Sequence, residues 1–439
     1  MKHFGEARRD VVDELSQPAW SGRLDRACLI WDLRGRLRVL VKPAVGQDTG
    51  ALIADLGAAM TRAAEGFWSG EHWVWHDALD TAEEKVFGKA WDSALPVEGP
   101  SYPLRELDRH LSKQTWYGAP LTPPWELMPQ TPPIISFFSF KGGVGRTTAL
   151  AAFAIQMARA NRGVCVIDLD LEAPGAGTLF ASGGVPSSER RYGLIDYLLE
   201  RPLYEGKKLR LEDYFFTCDD PAIIGDGAPI TVVPAGNIDS LYLEKLARVD
   251  YERLLQPDAK AAPPLSDLLR QLKSDRKPAY VLVDSRAGLH DIGGLALNGI
   301  AHLDVLFGLD TEQSWEGLGI VVDHLGRRRI EQKLEQQDCA LVYAMAPPST
   351  DPEREGRHAQ YIDRAHGLFE ERFYDADPNG SWPVPAVGDK GKPHHAFAMG
   401  FNTELQRARS LRDMAAPLTQ GDYGGFTTWL LERLGRTVP

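Results

Sequence analysis

Cysteine is scarce. Four occur in 439 residues, at Cys28, Cys165, Cys218 and Cys339, far apart and with no CxxC pair. That excludes a disulfide scaffold and lacks zinc-ligand spacing, and it reads as reduced thiols in a cytoplasm. No run of about 18 apolar residues occurs, so no membrane-spanning helix is expected. The opening stretch MKHFGEARRDVVDEL has no apolar core of the kind a secretory signal requires. An excess of positive charge is also missing. Lys and Arg number 49 against 61 Asp and Glu, a formal net charge of -12, which opposes a whole-molecule attraction to nucleic acid or an anionic membrane. No internal repeat is visible. What is present, 43% hydrophobic and 25% charged residues, is the composition of a globular chain. Its length predicts roughly two to three domains.

Residues 1–95 read as a small α/β unit. Arg26–Asp32 and Leu37–Lys42 are β-rich runs split by the turn Leu33-Arg34-Gly35-Arg36, the pattern of a hairpin. Helical spacing follows over Ala51–Phe67 and Thr81–Leu95, with a strand pattern around Trp73 and Trp75 between them. Residues 96–133 carry nine prolines, so a linker or strap is expected there, with one short helix about Leu104–Trp116. From Ile134 to the end, strand-like and helix-like runs alternate. The strands are expected at Ile134–Phe140, Val164–Leu169, Ile230–Val233, Tyr280–Asp284, Asp304–Leu309 and Ala340–Met345, with helices between, one of them about Leu241–Leu255. This alternation predicts a mostly parallel sheet with helices on both faces, forming a domain over residues 134–439. Such sheets bind ligands at the carboxyl ends of their strands.

One stretch carries the chemistry: Ser139-Phe140-Lys141-Gly142-Gly143-Val144-Gly145-Arg146-Thr147-Thr148. It follows a strand and opens a helix, which is the setting a phosphate-binding loop needs. Glycines let backbone N–H groups turn inward around anionic oxygens, and the helix N-terminus adds about half a positive charge aimed at the same place. The Thr147 hydroxyl, directly after a basic residue, suits Mg²⁺. The stretch departs from GxxxxGK[ST] at Phe140 and Arg146. Asp168 and Asp170 follow one apolar strand and Asp284 ends another. Carboxylates there can hold Mg²⁺ or orient a water.

The sequence resembles the MinD/ParA class of deviant phosphate-loop ATPases (CobQ/CobB/MinD/ParA nucleotide-binding domains), whose loop reads KGGxGK[ST]T. More narrowly it resembles the bacterial KGGVGR variant. Val164–Gly175 is similar to the second strand and first switch of the class, Val281–Gly288 to its Walker B strand and second switch, and Val232–Gly236 to an intervening strand end. The resemblance covers about residues 132–350 and implies the following roles. Lys141 is the signature lysine, reaching a second protomer's nucleotide. Gly142, Gly143, Val144, Gly145, Arg146, Thr147, Thr148 and Gly288 surround ATP. Thr147, Asp284 and Asp168 hold Mg²⁺. Asp170 positions water and acts with Lys141 and Arg146 in slow hydrolysis. A guanidinium at position 146 keeps the charge of the usual lysine but not its geometry. The implied function is a cytoplasmic, nucleotide-controlled dimer switch that engages an unidentified protein through residues 1–130 or the switches, with a conflict or defence setting as one option. The alternative is a pseudo-ATPase scaffold disabled at Arg146. The strand Ala340–Met345 lacks the Asn that often ends it in relatives, so the base-binding residues, and with them ATP over GTP, rest on resemblance.

Weaker features are given bland readings. His72 and His76 lie on a strand pattern, about 13 Å apart at 3.3 Å per residue, and are not read as a metal pair. Arg327-Arg328-Arg329 suits a helix C-terminus better than a DNA-binding patch. Phe426–Leu434 is amphipathic and is expected to pack on the domain rather than on a membrane.

Overall fold

A computed structural model of the chain describes residues 1–76, 81–110, 112–118, 121–182, 184, 192–204, 209–250, 263–331, 339–374 and 383–437. The chain divides into two units, Met1–Ser112 and Lys113–Pro439.

In the first unit, β1 (Leu24–Trp31) and β2 (Leu37–Pro43) form the antiparallel hairpin that the alternating pattern predicts. Asp32 sets the turn, its Oδ1 accepting the N–H groups of Arg34 and Arg36 at 2.9 and 3.0 Å. The sheet has the order β3-β2-β1-β5-β4, with β3 at Trp68–Val74, β4 at Leu95–Val97 and β5 at Leu104–Asp108. Helices α1 (Phe4–Leu15) and α2 (Thr49–Ala64) cover one face, packing Val11, Leu15, Leu52, Leu56 and Met60 on Leu29, Trp31, Val39 and Val41. Phe87 and Trp91 of α3 (Thr81–Ser93) pack on Cys28, Ile30 and Leu40 on the other.

The expected helix about Leu104–Trp116 is corrected. Leu104–Asp108 is a strand parallel to β1, and only Gln114–Tyr117 (α4) is helical. The physical reason is a period of two: Leu104 joins the α1/α2 core while Leu107 packs on the opposite face. The surrounding prolines masked that alternation.

The second unit is built on an eight-stranded sheet of order β13-β12-β11-β6-β10-β7-β9-β8. Its central members are β6 (Ile134–Ser139), β7 (Val164–Asp168), β9 (Ile230–Val233), β10 (Tyr280–Asp284), β11 (Leu303–Gly308) and β12 (Cys339–Ala346). All neighbours are parallel except β8 (Phe216–Cys218), which runs antiparallel to β9. β13 (Phe397–Gly400) closes the other edge and was not anticipated from the sequence; neither was the helix Arg354–Phe369. Where Leu241–Leu255 reads as one helix, Tyr242–Leu246 is helical, and residues 251–262 lie outside the described set.

Every residue of β6 is buried, as a strand covered on both faces requires. Ile135 and Phe137 face α5 (Arg146–Arg159), while Ile134 and Phe138 face the opposite helix layer. α5 is Ala-rich and buried nearly all round, because the sheet lies on one side and the helix Gly421–Arg433 on the other. The apolar face of that last helix, Phe426, Leu430 and Leu431, is part of the same core. Among the described residues, no helix is long and apolar enough to cross a membrane. Residues of the proline-rich stretch dock within this unit. Thr115 and Trp116 donate to the carbonyls of Asp291 and His290, and Leu121 N–H to that of Asn298 at 2.7 Å.

Candidate functional site

β6 ends at Ser139 and α5 begins at Arg146, so Phe140–Gly145 must reverse the chain in six residues. Gly143 and Gly145 do this with φ of +73° and +86°, a left-handed region in which a side chain would be strained. The turn opens onto a cavity of about 660 Å³. One wall is Gly142–Thr148 with Asp170 and Arg286; the other is Met345, Met399–Asn402, Leu405, Gln406 and Tyr423. The N-terminus of α5 points its free N–H groups and dipole into this space.

Beneath the loop the charges are tightly paired. Arg146 is only 9% exposed and Asp284 only 1%. Arg146 Nε donates to Asp284 Oδ1 at 2.7 Å, Nη1 to Ser139 Oγ at 3.3 Å, and Nη2 stands 3.6 Å from Asp170 Oδ2. Thr147 Oγ1 donates to the other Asp284 oxygen at 2.7 Å. Arg286 approaches Asp170 Oδ1 at 3.4 Å and Glu172 Oε2 at 3.1 Å. Burial pushes the Asp170 carboxyl above its ordinary range, opposed by the Ala173 N–H and by Arg146 and Arg286.

The structure thus brings Gly142–Thr148 and Asp170 to one cavity, with Asp284 directly below. Three other residues named from the sequence lie outside that lining. Lys141 is half-buried and outside the cavity lining. The Gly288 N–H, expected to face a phosphate, donates to Ser139 O at 3.0 Å. Asp168 neighbours Asp284 on the adjacent strand, but its carboxylate accepts Gly177 N–H at 2.8 Å and it lines a separate cavity of about 150 Å³.

Asp168 is fully buried. Burial, then repulsion from Asp284, push its carboxyl up to about 8, against the pull of the Gly177 N–H. The group is neutral in the folded chain where an unfolded aspartate, with its pKa of about 4, is ionised. Its contribution to stability is therefore complete below about pH 4 and is lost as pH rises toward 8. Asp168→Asn, neutral throughout, is expected to gain thermal stability relative to wild type between about pH 5 and pH 8. Parallel melting curves across that range would contradict this.

Sequence reasoning missed the far wall of the cavity. Its residues are scattered over Met345, Met399–Asn402, Leu405, Gln406 and Tyr423, and no short motif joins them. One local signal exists only in the backbone: Met345 has φ +54°, beside a register shift between β12 and β13. A non-glycine residue held there marks a strand end bent to serve something else. Two arginines of the basic run Arg327–Arg329 have partners within the fold. Arg327 pairs with Asp323 at 3.0 Å, and the buried Arg328 donates to Leu297 O.

Solved structures to which the chain is similar include a ParA family ATPase from Chlorobium tepidum TLS (15% identity, 68% of this chain and 98% of that one, TM-score 0.42). They also include the Pyrococcus furiosus cell division ATPase MinD (18% identity, 69% and 98%, TM-score 0.41). A third is the septum site-determining protein MinD complexed with Mg-ADP from Pyrococcus horikoshii OT3 (15% identity, 69% and 96%, TM-score 0.40). No curated protein compared with the chain matches it. Residues 135–348, which contain the loop, Asp168, Asp170, Asp284 and β6 to β12, match the family described as the CobQ/CobB/MinD/ParA nucleotide binding domain. That part of the chain, built as a mostly parallel sheet between helices around a glycine-rich strand-to-helix turn, is where its likeness to the CobQ/CobB/MinD/ParA nucleotide binding domain lies.

Proposed function

We propose that the second unit binds a nucleoside triphosphate, ATP by family resemblance, in the 660 Å³ cavity and works as a nucleotide-controlled switch. The observation that carries this reading is the shared lining. The Gly142–Thr148 turn, the α5 N-terminus and Arg286 face the same space as a wall of Met345, Met399, Phe401 and Leu405, with Asn402 and Gln406 among them. The first set suits a polyphosphate and the second a flat base and ribose. The oxygen donors fit a hard cation carried in on the phosphates. Thr147, oriented by Asp284, would hold Mg²⁺, which supplies positive charge to the phosphate oxygens. Among the described residues no group of three or more His, Cys, Asp or Glu side chains could hold a metal by itself, so the phosphates must complete the site. Asp170 lies on the cavity wall, which supports a role in orienting a water.

Lys141 is outside its own cavity, which supports a role toward a second copy, with two protomers closing on nucleotide and presenting a surface to a protein partner. Light scattering with and without ATP and Mg²⁺ tests this. Nucleotide should convert monomer to dimer in wild type and not in Lys141→Ala. A mutant that dimerises normally would contradict the assignment.

A second reading is favoured by Arg146. Its guanidinium is committed to Asp284, Ser139 and Asp170 beneath the loop rather than free to follow a transferring phosphoryl group. On that reading the domain binds nucleotide as a regulatory ligand with negligible turnover. Phosphate release above background that disappears in Asp170→Ala would reject it.

A further inference from the structure

Lys141 does not line the cavity, and the nitrogens of Arg146 are taken up by Asp284, Ser139 and Asp170. Of the three cations near the loop, that leaves Arg286. It stands two residues beyond the end of β10 and lines the same cavity as Gly142–Thr148. Its Nη1 and Nη2 bridge Asp170 and Glu172 at 3.4 and 3.1 Å, and its Nε is buried with no hydrogen-bond partner among the described residues. A buried guanidinium N–H without an acceptor is costly, and the natural complement of such a fork is an oxyanion with two or three oxygens. The side chain is also easy to redirect. Glu172 is 37% exposed, so breaking its pair with Arg286 loses little.

We propose that Arg286 is a cation supplied by the same chain to the terminal phosphate of a bound nucleoside triphosphate, exchanging Glu172 for the phosphate and so making the site distinguish triphosphate from diphosphate. This rests on the reading of the cavity as a nucleotide site. It adds that the charge for the last phosphate is present within one protomer. It also links nucleotide state to the first switch, because the contact that Arg286 gives up leaves Glu172 with only the more distant His290, at 3.7 Å, among the ion pairs of the described residues.

The test is calorimetric titration of the full chain with AMPPNP and with ADP, each with Mg²⁺, for wild type, Arg286→Gln, Arg286→Lys and Glu172→Gln. Arg286→Gln is expected to weaken AMPPNP by about 10- to 150-fold and ADP by less than about threefold. Arg286→Lys should recover part of the loss, and it keeps the test alive should the glutamine variant fold poorly. Glu172→Gln separates phosphate contact from mere bracing of the switch. If Arg286 faces phosphate, freeing it leaves AMPPNP affinity unchanged or tightens it by up to about fivefold. Equal losses for AMPPNP and ADP in Arg286→Gln, or a Glu172→Gln variant that copies that loss, would overturn the proposal. Absence of heat with either nucleotide in wild type would overturn it together with the reading beneath it, an outcome distinct from both.

Discussion

Arg146→Ala is expected to cost about 3–5 kcal/mol of folding stability, a large share of what a domain has to spend. The side chain is 9% exposed and its main partner, Asp284, 1%. Removing it strips the 2.7 Å Nε contact from Asp284 and a second cation from Asp170, leaving the buried Asp284 carboxylate without its cation. Such a loss reflects the penalty on the partner left behind rather than the net worth of the pair. Arg146→Lys, which keeps a charge but only one donor centre, is expected to fall between alanine and wild type. Urea denaturation at constant m-value measures the difference. An alanine variant within about 1 kcal/mol of wild type would show that Arg146 is not the counter-ion of Asp284.

Phe426→Ala should cost a similar amount, about 3–5 kcal/mol, for a different reason. The ring is fully buried and meets Phe397 at 5.8 Å, Trp429 at 5.7 Å, Phe307 at 6.3 Å and Phe137 at 6.4 Å. It therefore ties the Gly421–Arg433 helix to β6, β11 and β13 at once. Tyr423, one turn earlier, and β13 both contribute to the far side of the cavity, so loosening the helix should also weaken ligand binding there. The measurement is again denaturant unfolding, with a vesicle co-sedimentation control. A near-neutral substitution, or an apolar face that binds membrane in the intact chain, would contradict a core role for this helix.

The two cases illustrate what was legible in the sequence. The phosphate turn is ten consecutive residues, and its glycines, basic residues and hydroxyls speak for themselves in a strand-to-helix setting. The parallel sheet was legible because strands buried on both faces become uninterrupted apolar runs such as Ile134–Phe140. The partner of Arg146 was not legible. Asp284 lies 138 positions away and meets it only because β10 pairs with β6. Lys141 and Arg286 could not be ranked from sequence either, since cavity lining depends on which way a loop side chain turns. The far wall comes from three separate segments beyond position 344, where no periodic pattern marked β13. In the first unit, proline density suggested a strap where Leu95–Val97 and Leu104–Asp108 are strands. Prolines constrain φ but do not forbid short strands between them, and the proline inside one of these two strands, Pro96, sits on the edge strand β4.

The claim on which the account turns is that the cavity above Gly143 and Gly145 holds a triphosphate. Isothermal titration of the folded, full-length chain with AMPPNP and Mg²⁺ tests it directly. The account predicts saturable heat with one nucleotide per chain, abolished by Gly145→Val, which cannot adopt the φ of +86° without strain. No heat from wild type with adenine or guanine triphosphates, or full binding retained by Gly145→Val, would contradict it.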